Sequence, residues 1–197
     1  MDRCVLASGN AGKLREFHRL LEPTGMHIQP QSHWQVPPAD ENGLTFIENA
    51  LIKARHACRH AGLPALADDS GLVVPALQGR PGIHSARYAG EAADDRSNVD
   101  KLLREMATLK GEQRKAWFQC VIVLLRHAED PAPLLAMARW HGYITPQPCG
   151  SGGFGYDPVF QPTGRTCTAA ELTAEDKDRL SHRGQALRQL LMLMDDG

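Results

Sequence analysis

Short apolar runs alternate with amphipathic helical stretches through the first part of the chain, and two long strand-like runs follow close together. Few architectures accept that order. Arg3 to Ala7 reads as a buried strand, Ser8-Gly9-Asn10-Ala11-Gly12 as a turn, and Lys13 to Glu22 as a helix. Met26 to Gln29 can form a second strand, and Gln31 to Asn42, with Pro37 and Pro38, reads as loop. The clearest helix covers Thr45 to Ala61, where Ile47, Ala50, Leu51, Ala54 and Cys58 follow helical spacing. It opens on Thr45-Phe46-Ile47-Glu48, a capping-box pattern. Ala65 to Ala67 reads as a short strand ending at Asp68-Asp69-Ser70-Gly71, with Leu72 to Val74 as a further strand.

Asp95 to Leu109 is a second helix, capped by Asp94 or Asp95. Lys115 to Arg126 and Leu134 to Tyr143 are long strand candidates, and the turn at Glu129-Asp130-Pro131 makes them a hairpin. A glycine-rich loop, Pro146 to Tyr156, follows, and the tail from Ala170 is helical in two pieces, with Ser181 able to cap the last. Early alternation followed by a hairpin predicts an α/β fold on a mixed sheet.

Charge narrows the possible partners. The 197 residues carry 22 Lys and Arg against 23 Asp and Glu, a formal net charge of −1. A protein that grips long nucleic acid non-specifically usually shows a basic excess, so that class is excluded, while a small polyanion in a local basic pocket is not. The longest aliphatic run, Val121 to Leu125, is far below the ~20 residues of a membrane span. The apolar run after Asp2 and Arg3 is too short for a signal peptide, so the expectation is a cytoplasmic protein with no membrane partner. Cys4, Cys58, Cys120, Cys149 and Cys167 include no C-x-x-C pair, which suggests neither a zinc ribbon nor a redox pair.

Five constellations can carry chemistry. In Ser8-Gly9-Asn10-Ala11-Gly12-Lys13, glycines would let the backbone approach a ligand, and a helix start with a lysine would attract an anion. Its spacing is not that of a Walker A loop, and the plain alternative is a tight strand-to-helix turn. Asp68-Asp69 offers hard oxygen ligands suited to Mg²⁺ at a strand end, or simply a polar turn. Asn49 and Lys53 share a helix face beside Glu48, which is either the capping-box acid or a metal ligand. His56 and His60 have i,i+4 spacing, but nothing completes a transition-metal site, and they read as surface histidines. Phe154, Gly155, Tyr156 and Asp157 lie in a glycine-rich loop that leaves a ring free to stack on a planar ligand or to plug the core. Lys177, His182 and Arg183 cluster at a helix start that could face an anion or a carbonyl oxygen.

Taken in order, SGNAGK (8–13), GLTFIENALIKA (43–54), ADDSGL (67–72), PGIHSARYAG (81–90), GGFGYDPVF (152–160) and ELTAEDKDRLSHRGQAL (171–187) resemble the inosine triphosphate pyrophosphatase-like family of nucleotide house-cleaning enzymes. The family's first motif more often begins with Thr, and Ser8 keeps the hydroxyl. The resemblance implies one two-lobed domain over residues 1–197: an elongated mixed β-sheet with flanking helices, two lobes around a central cleft, and a homodimer. It implies Mg²⁺-dependent hydrolysis of ITP, dITP and XTP to the monophosphate and pyrophosphate.

On that resemblance, Glu41 and Asp69 would hold Mg²⁺, with Glu48 a second metal candidate. Asp69 would act as general base or orient the water. Lys13, the amides of residues 8–12, Lys53 and Lys177 would meet the phosphates, and Ser70 the phosphate or ribose. Phe154 would stack on the purine, His182 and Arg183 would donate to its 6-oxo group, and Gly155, Tyr156 and Asp157 would shape the base edge. The alternative reading is a nucleotide-binding sensor without turnover.

Overall fold

A computed structural model describes residues 3–195. The elements run β1 (Cys4–Leu6), α1 (Ala11–Leu21), β2 (Ile28–Pro30), α2 (Phe46–Ala61), β3 (Ala65–Val73), α3 (Asp95–Glu105), β4 (Lys115–Leu125), β5 (Leu134–Ile144), β6 (Phe160–Pro162), α4 (Ala174–Leu180) and α5 (His182–Asp195). They form a mixed six-stranded sheet in the order β2-β1-β3-β4-β5-β6. β1 is parallel to both β2 and β3, with Val5 opposite Gln29 and Ala65, while β5 and β6 are antiparallel. The long strand pair and the two-piece helical tail agree with the sequence reading.

Local chemistry sets the helix ends. α1 begins two residues before the expected Lys13, because the Asn10 side chain accepts a hydrogen bond from the Lys13 amide at 3.0 Å and so caps the first turn. At α2 a variant of the expected capping box forms: Thr45 Oγ1 accepts from the Glu48 amide at 3.2 Å, and the Glu48 carboxylate accepts from Thr45 Oγ1 at 2.9 Å and from the amide of the preceding Leu44 at 2.8 Å. α3 stops at Glu105, short of the expected Leu109. Past its end, Arg114 donates to the carbonyls of Met106 and Leu109.

One expectation fails at β3. Ala65–Val73 is a single strand, with the aspartate pair in its middle rather than at its end. Gly71, expected to break the chain, lies inside the strand because another segment presses on it. A Cβ there would meet the Gly82 carbonyl oxygen at 2.3 Å and Ser85 Oγ at 2.4 Å.

The chain divides into two compact units. The first holds the described residues up to Asp69, Cys120–Ala138 and the described residues from Arg183; the second holds Ser70–Gln119 and Arg139–His182. Strand alternation gives the first unit two apolar layers. Leu6, Leu66, Ile122 and Leu124 pack with Phe17 and Leu21 of α1 and with Ala186, Leu187 and Leu190 of α5. Val5, Ala65, Ala67, Val121 and Val123 pack with Ala50, Ala54 and Ala57 of α2. In the second unit, Leu102 and Met106 join Phe118, Trp140, Tyr156 and Phe160 in one core.

Candidate active site

Asp68 and Asp69 are consecutive in β3, so their side chains leave the sheet on opposite faces. Asp68 shares the face of Leu66 and meets the helices that cover it. Its Oδ2 lies 3.1 Å from Lys13 Nζ of α1 and 3.2 Å from the Arg183 guanidinium of α5. Arg183 also pairs with Glu16 of α1, and its side chain is 1% exposed. Asp69 shares the face of Ala67 and meets α2. Its Oδ1 accepts from Lys53 Nζ at 2.7 Å, and the same ammonium lies 3.0 Å from Glu41.

The two carboxylates, one peptide apart, titrate in opposite directions. Burial works to raise Asp68, but Lys13, Arg183 and Lys53 outweigh it and hold the carboxyl well below the usual range. Burial also raises Asp69, and there Lys53 and Lys13 do not fully offset it. Lys53 is disfavoured by burial, yet Asp69, Asp68 and Glu41 together raise its proton affinity. Asp68 is therefore a fixed anion, and Asp69 is a carboxylate with raised appetite for a proton, as a general base requires.

The Ser8 to Lys13 turn carries its own internal bonds. Ser8 Oγ accepts from the Asn10 amide at 3.2 Å and Asn10 Oδ1 from the Lys13 amide. The amides of Ala11 and Gly12 lie in the first turn of α1, where no intrahelical acceptor exists. At Gly9 an added Cβ would meet nothing within 4 Å, so nothing in the protein itself requires glycine there.

Among the described residues, no group of three or more His, Cys, Asp or Glu side chains could hold a metal alone. Mg²⁺ does not need such a cage, since it commonly takes one or two carboxylates and completes its shell with water and substrate phosphates. Glu41 and Asp69 converge on one Lys53 ammonium, and Asp69 Oδ2 is buried with no hydrogen-bond partner among the described residues. Glu16, Glu41, Asp68 and Asp69 outnumber Lys13, Lys53 and Arg183 by one charge. An open buried acceptor and surplus negative charge suit a divalent cation shared with a phosphate. Glu48, the second metal candidate, is instead engaged as the α2 cap.

In the second unit, Lys177 Nζ lies 2.5 Å from Asp157 Oδ2 and 4.7 Å from the centre of the Phe154 ring. Asp157 also accepts from the Phe154 amide at 2.8 Å, which fixes the loop behind the ring. Tyr156 is buried, with its hydroxyl donating to the Ser85 carbonyl, so it forms a wall. The Gly155 amide donates to Asp95 at 2.7 Å. His182 is buried, stacked on Phe118 at 4.7 Å and 8°. Ser70 is half-buried beside Asp69.

The structure pairs Lys13 with Asp68, gathers Glu41 and Asp69 around the Lys53 ammonium, and brings Phe154, Asp157 and Lys177 into another group. Arg183 departs from expectation. It is buried against Glu16 and Asp68 instead of standing at a ligand-facing helix start, because the carboxylate in mid-strand needs a cation beside it. Sequence reasoning missed Glu16, although a carboxylate next to Phe17 on the covered side of α1 was a usable signal. A separate cavity of about 610 Å³, lined by Arg15, His18, Arg19, His27 and neighbours, includes none of the clustered residues.

The Ham1 family model matches residues 4–193. A dITP/XTP pyrophosphatase of Shigella flexneri is 55% identical over 197 residues, covering 100% of both chains. Another, of Pectobacterium atrosepticum, is 57% identical over 191 residues, 97% of each. The solved structure of a HAM1 protein from Coxiella burnetii matches with a TM-score of 0.91 at 46% identity, across 100% of both chains.

Proposed function

The chain belongs to the Ham1 family, and from that premise we propose that it hydrolyses non-standard purine nucleoside triphosphates, ITP, dITP and XTP, to the monophosphate and pyrophosphate. The observation that supports the reading most is the aspartate pair on β3: Asp68 holds Lys13 at 3.1 Å, and Asp69 holds at 2.7 Å the Lys53 ammonium that also reaches Glu41. Phosphoanhydride hydrolysis depends mainly on positioning and on neutralising charge.

Lys13, Lys53 and the first amides of α1 bind phosphate oxygens. Ser8 and Asn10 hold that turn in shape, and Gly9 lets the phosphate approach the backbone. Ser70 adds a hydroxyl, while Lys177, held against Asp157 and the Phe154 ring, acts on the base side instead. Glu41 and Asp69 would hold Mg²⁺, which would supply charge neutralisation and Lewis acidity. Asp69 orients the attacking water and accepts its proton, and Lys53 keeps the aspartate in place until then. Asp68 fixes Lys13, and Arg183 with Glu16 fixes Asp68; Arg183 is thus a positioning residue.

In the second unit, Phe154 stacks on the purine, backed by Lys177, while Gly155, Tyr156 and Asp157 shape the base edge. His182 donates to the 6-oxo oxygen. Adenine presents an amino donor at that position, and a buried donor facing a donor rejects it strongly. We place the enzyme in the cytoplasm and as a homodimer, on family resemblance.

A pyrophosphate-release panel tests the reading. ITP, dITP and XTP are expected to be turned over with Mg²⁺ and not without it, and ATP, GTP and dUTP far more slowly. Binding of ITP with no pyrophosphate released would replace the enzyme by a sensor.

A further inference from the structure

The segment that carries Glu41 is strapped along one face of α2. His56 Nε2 lies 2.9 Å from the Pro37 carbonyl oxygen. A carbonyl only accepts, so Nε2 carries the proton and donates. Lys53 Nζ reaches Glu41 at 3.0 Å, the Gly43 amide donates to Asn49 Oδ1 at 2.9 Å, and the Leu44 amide donates to Glu48 Oε2 at 2.8 Å.

These contacts run in order. As the strap advances from 37 to 44, its partners on α2 fall from 56 through 53 and 49 to 48. From 56 to 48 the helix rises about 12 Å, so the strap runs back along the helix toward its start. Val36, buried at the head of the strap, packs in the cluster that holds Ala50, Ala54 and Ala57, small side chains that let the strap lie close. At Gly43 a Cβ would come within 2.6 Å of the Glu48 Cβ, which leaves no room for another residue there.

His56 thus ties the strap one helical turn beyond Lys53, on the upstream side of Glu41. Among the described residues, Glu41 itself is held by its contact to the Lys53 ammonium, and a phosphate arriving at Lys53 competes for that charge. The peptide must then be held by something else. Asn49 and Glu48 fix it downstream, and His56 fixes it upstream.

We propose that His56 is a positioning residue for Glu41: its bond to the Pro37 carbonyl holds the 37–44 strap so that the Glu41 carboxylate stays beside Asp69 when substrate draws Lys53 away. The proposal rests on the reading of Glu41 and Asp69 as the Mg²⁺ carboxylates.

The test compares His56→Leu, which keeps bulk but loses the donor, with His56→Gln, which keeps a donor. His56→Ala replaces the leucine variant should that one fail to fold. Hydrogen exchange of the peptide spanning 37–45 is read without metal or nucleotide. The Mg²⁺ dependence of pyrophosphate release from ITP is read separately, with Glu41→Gln as the control.

In His56→Leu the strap amides are expected to exchange about fivefold to tenfold faster, the worth of one neutral hydrogen bond. The half-saturating Mg²⁺ concentration rises by a similar factor, and kcat at saturating Mg²⁺ stays within about twofold. His56→Gln returns both readouts to near the starting protein. If Glu41→Gln leaves the Mg²⁺ requirement unchanged, the metal reading fails and the proposal fails with it. If Glu41→Gln shifts that requirement but His56→Leu matches the starting protein in both readouts, only the tether is overturned. Equal behaviour of the leucine and glutamine variants also overturns it, because the donor would then be irrelevant.

Discussion

Asp69 pays a cost in the folded state that Asp68 does not. Burial lifts its carboxyl above the ordinary range, and Lys53 and Lys13 recover only part of that. An acid whose proton affinity is raised on folding adds stability below its unfolded pKa and loses it as pH rises through the folded value. At neutral pH the ionised side chain is therefore a net burden, retained for function. Asp69→Asn removes the charge and keeps the shape. Its melting temperature at neutral pH is expected to equal or exceed that of the starting protein, while pyrophosphate release from ITP falls by about 10² to 10⁴. Calorimetry and a release assay on one preparation check both halves. A variant that stays active, or that melts well below the starting protein, contradicts the assignment.

At the scale of elements, two glycines separate structural from ligand-driven constraint. Gly71→Ala puts a Cβ 2.3 Å from a backbone oxygen that cannot swing aside, so β3 or the Gly82 segment must shift. Thermal melts are expected to show a loss of about 1–3 kcal/mol, the usual cost of overpacking. Gly9→Ala meets open space, so its melting temperature should not move, whereas KM for ITP should rise because the phosphate loses close approach to the backbone. The same contrast explains what was legible in the sequence. Helix starts at Thr45 and Asp94 follow local cap chemistry, which a sequence displays directly, whereas the Asn10 cap lies inside what reads as a glycine turn. The Ala65–Val73 strand looks broken in the sequence because two acids and a glycine resemble a turn. What keeps it continuous is remote: Lys13, Lys53 and Arg183 pair with the acids, and Ser85, packed where a Cβ at position 71 would lie, accepts a hydrogen bond from the Leu72 amide through its Oγ. His56 read as a surface histidine for the same reason, since its partner carbonyl at Pro37 is 19 residues away.

Across the whole chain, near-balance of charge conceals buried concentration. A net charge of −1 coexists with Arg183 closed against Glu16, 167 residues earlier, and Asp68, 115 residues earlier. The start of α5 is thereby joined to α1 and β3 through one guanidinium with 1% side-chain exposure. Breaking such a network from one side strands the opposite charges. Arg183→Met leaves Asp68 and Glu16 buried without the guanidinium they share, a loss of about 3–5 kcal/mol. For a chain of this size that lowers the melting temperature by roughly 6–20 °C. Arg183→Lys keeps the charge without the fork that meets two carboxylates, and is expected to fall between the two. The pH dependence identifies the cause. Asp68 has a depressed folded pKa, so its contribution is complete above the ordinary carboxylate range and is lost as pH falls toward the folded value. At neutral pH the deficit of Arg183→Met should be full. As pH falls, the variant's buried Asp68, deprived of Arg183, takes up its proton at a higher pH than that of the starting protein, the stranded charge disappears, and the two melting temperatures converge. A deficit that holds its size into acid would mean that Arg183 matters through packing alone and not through the carboxylates it joins.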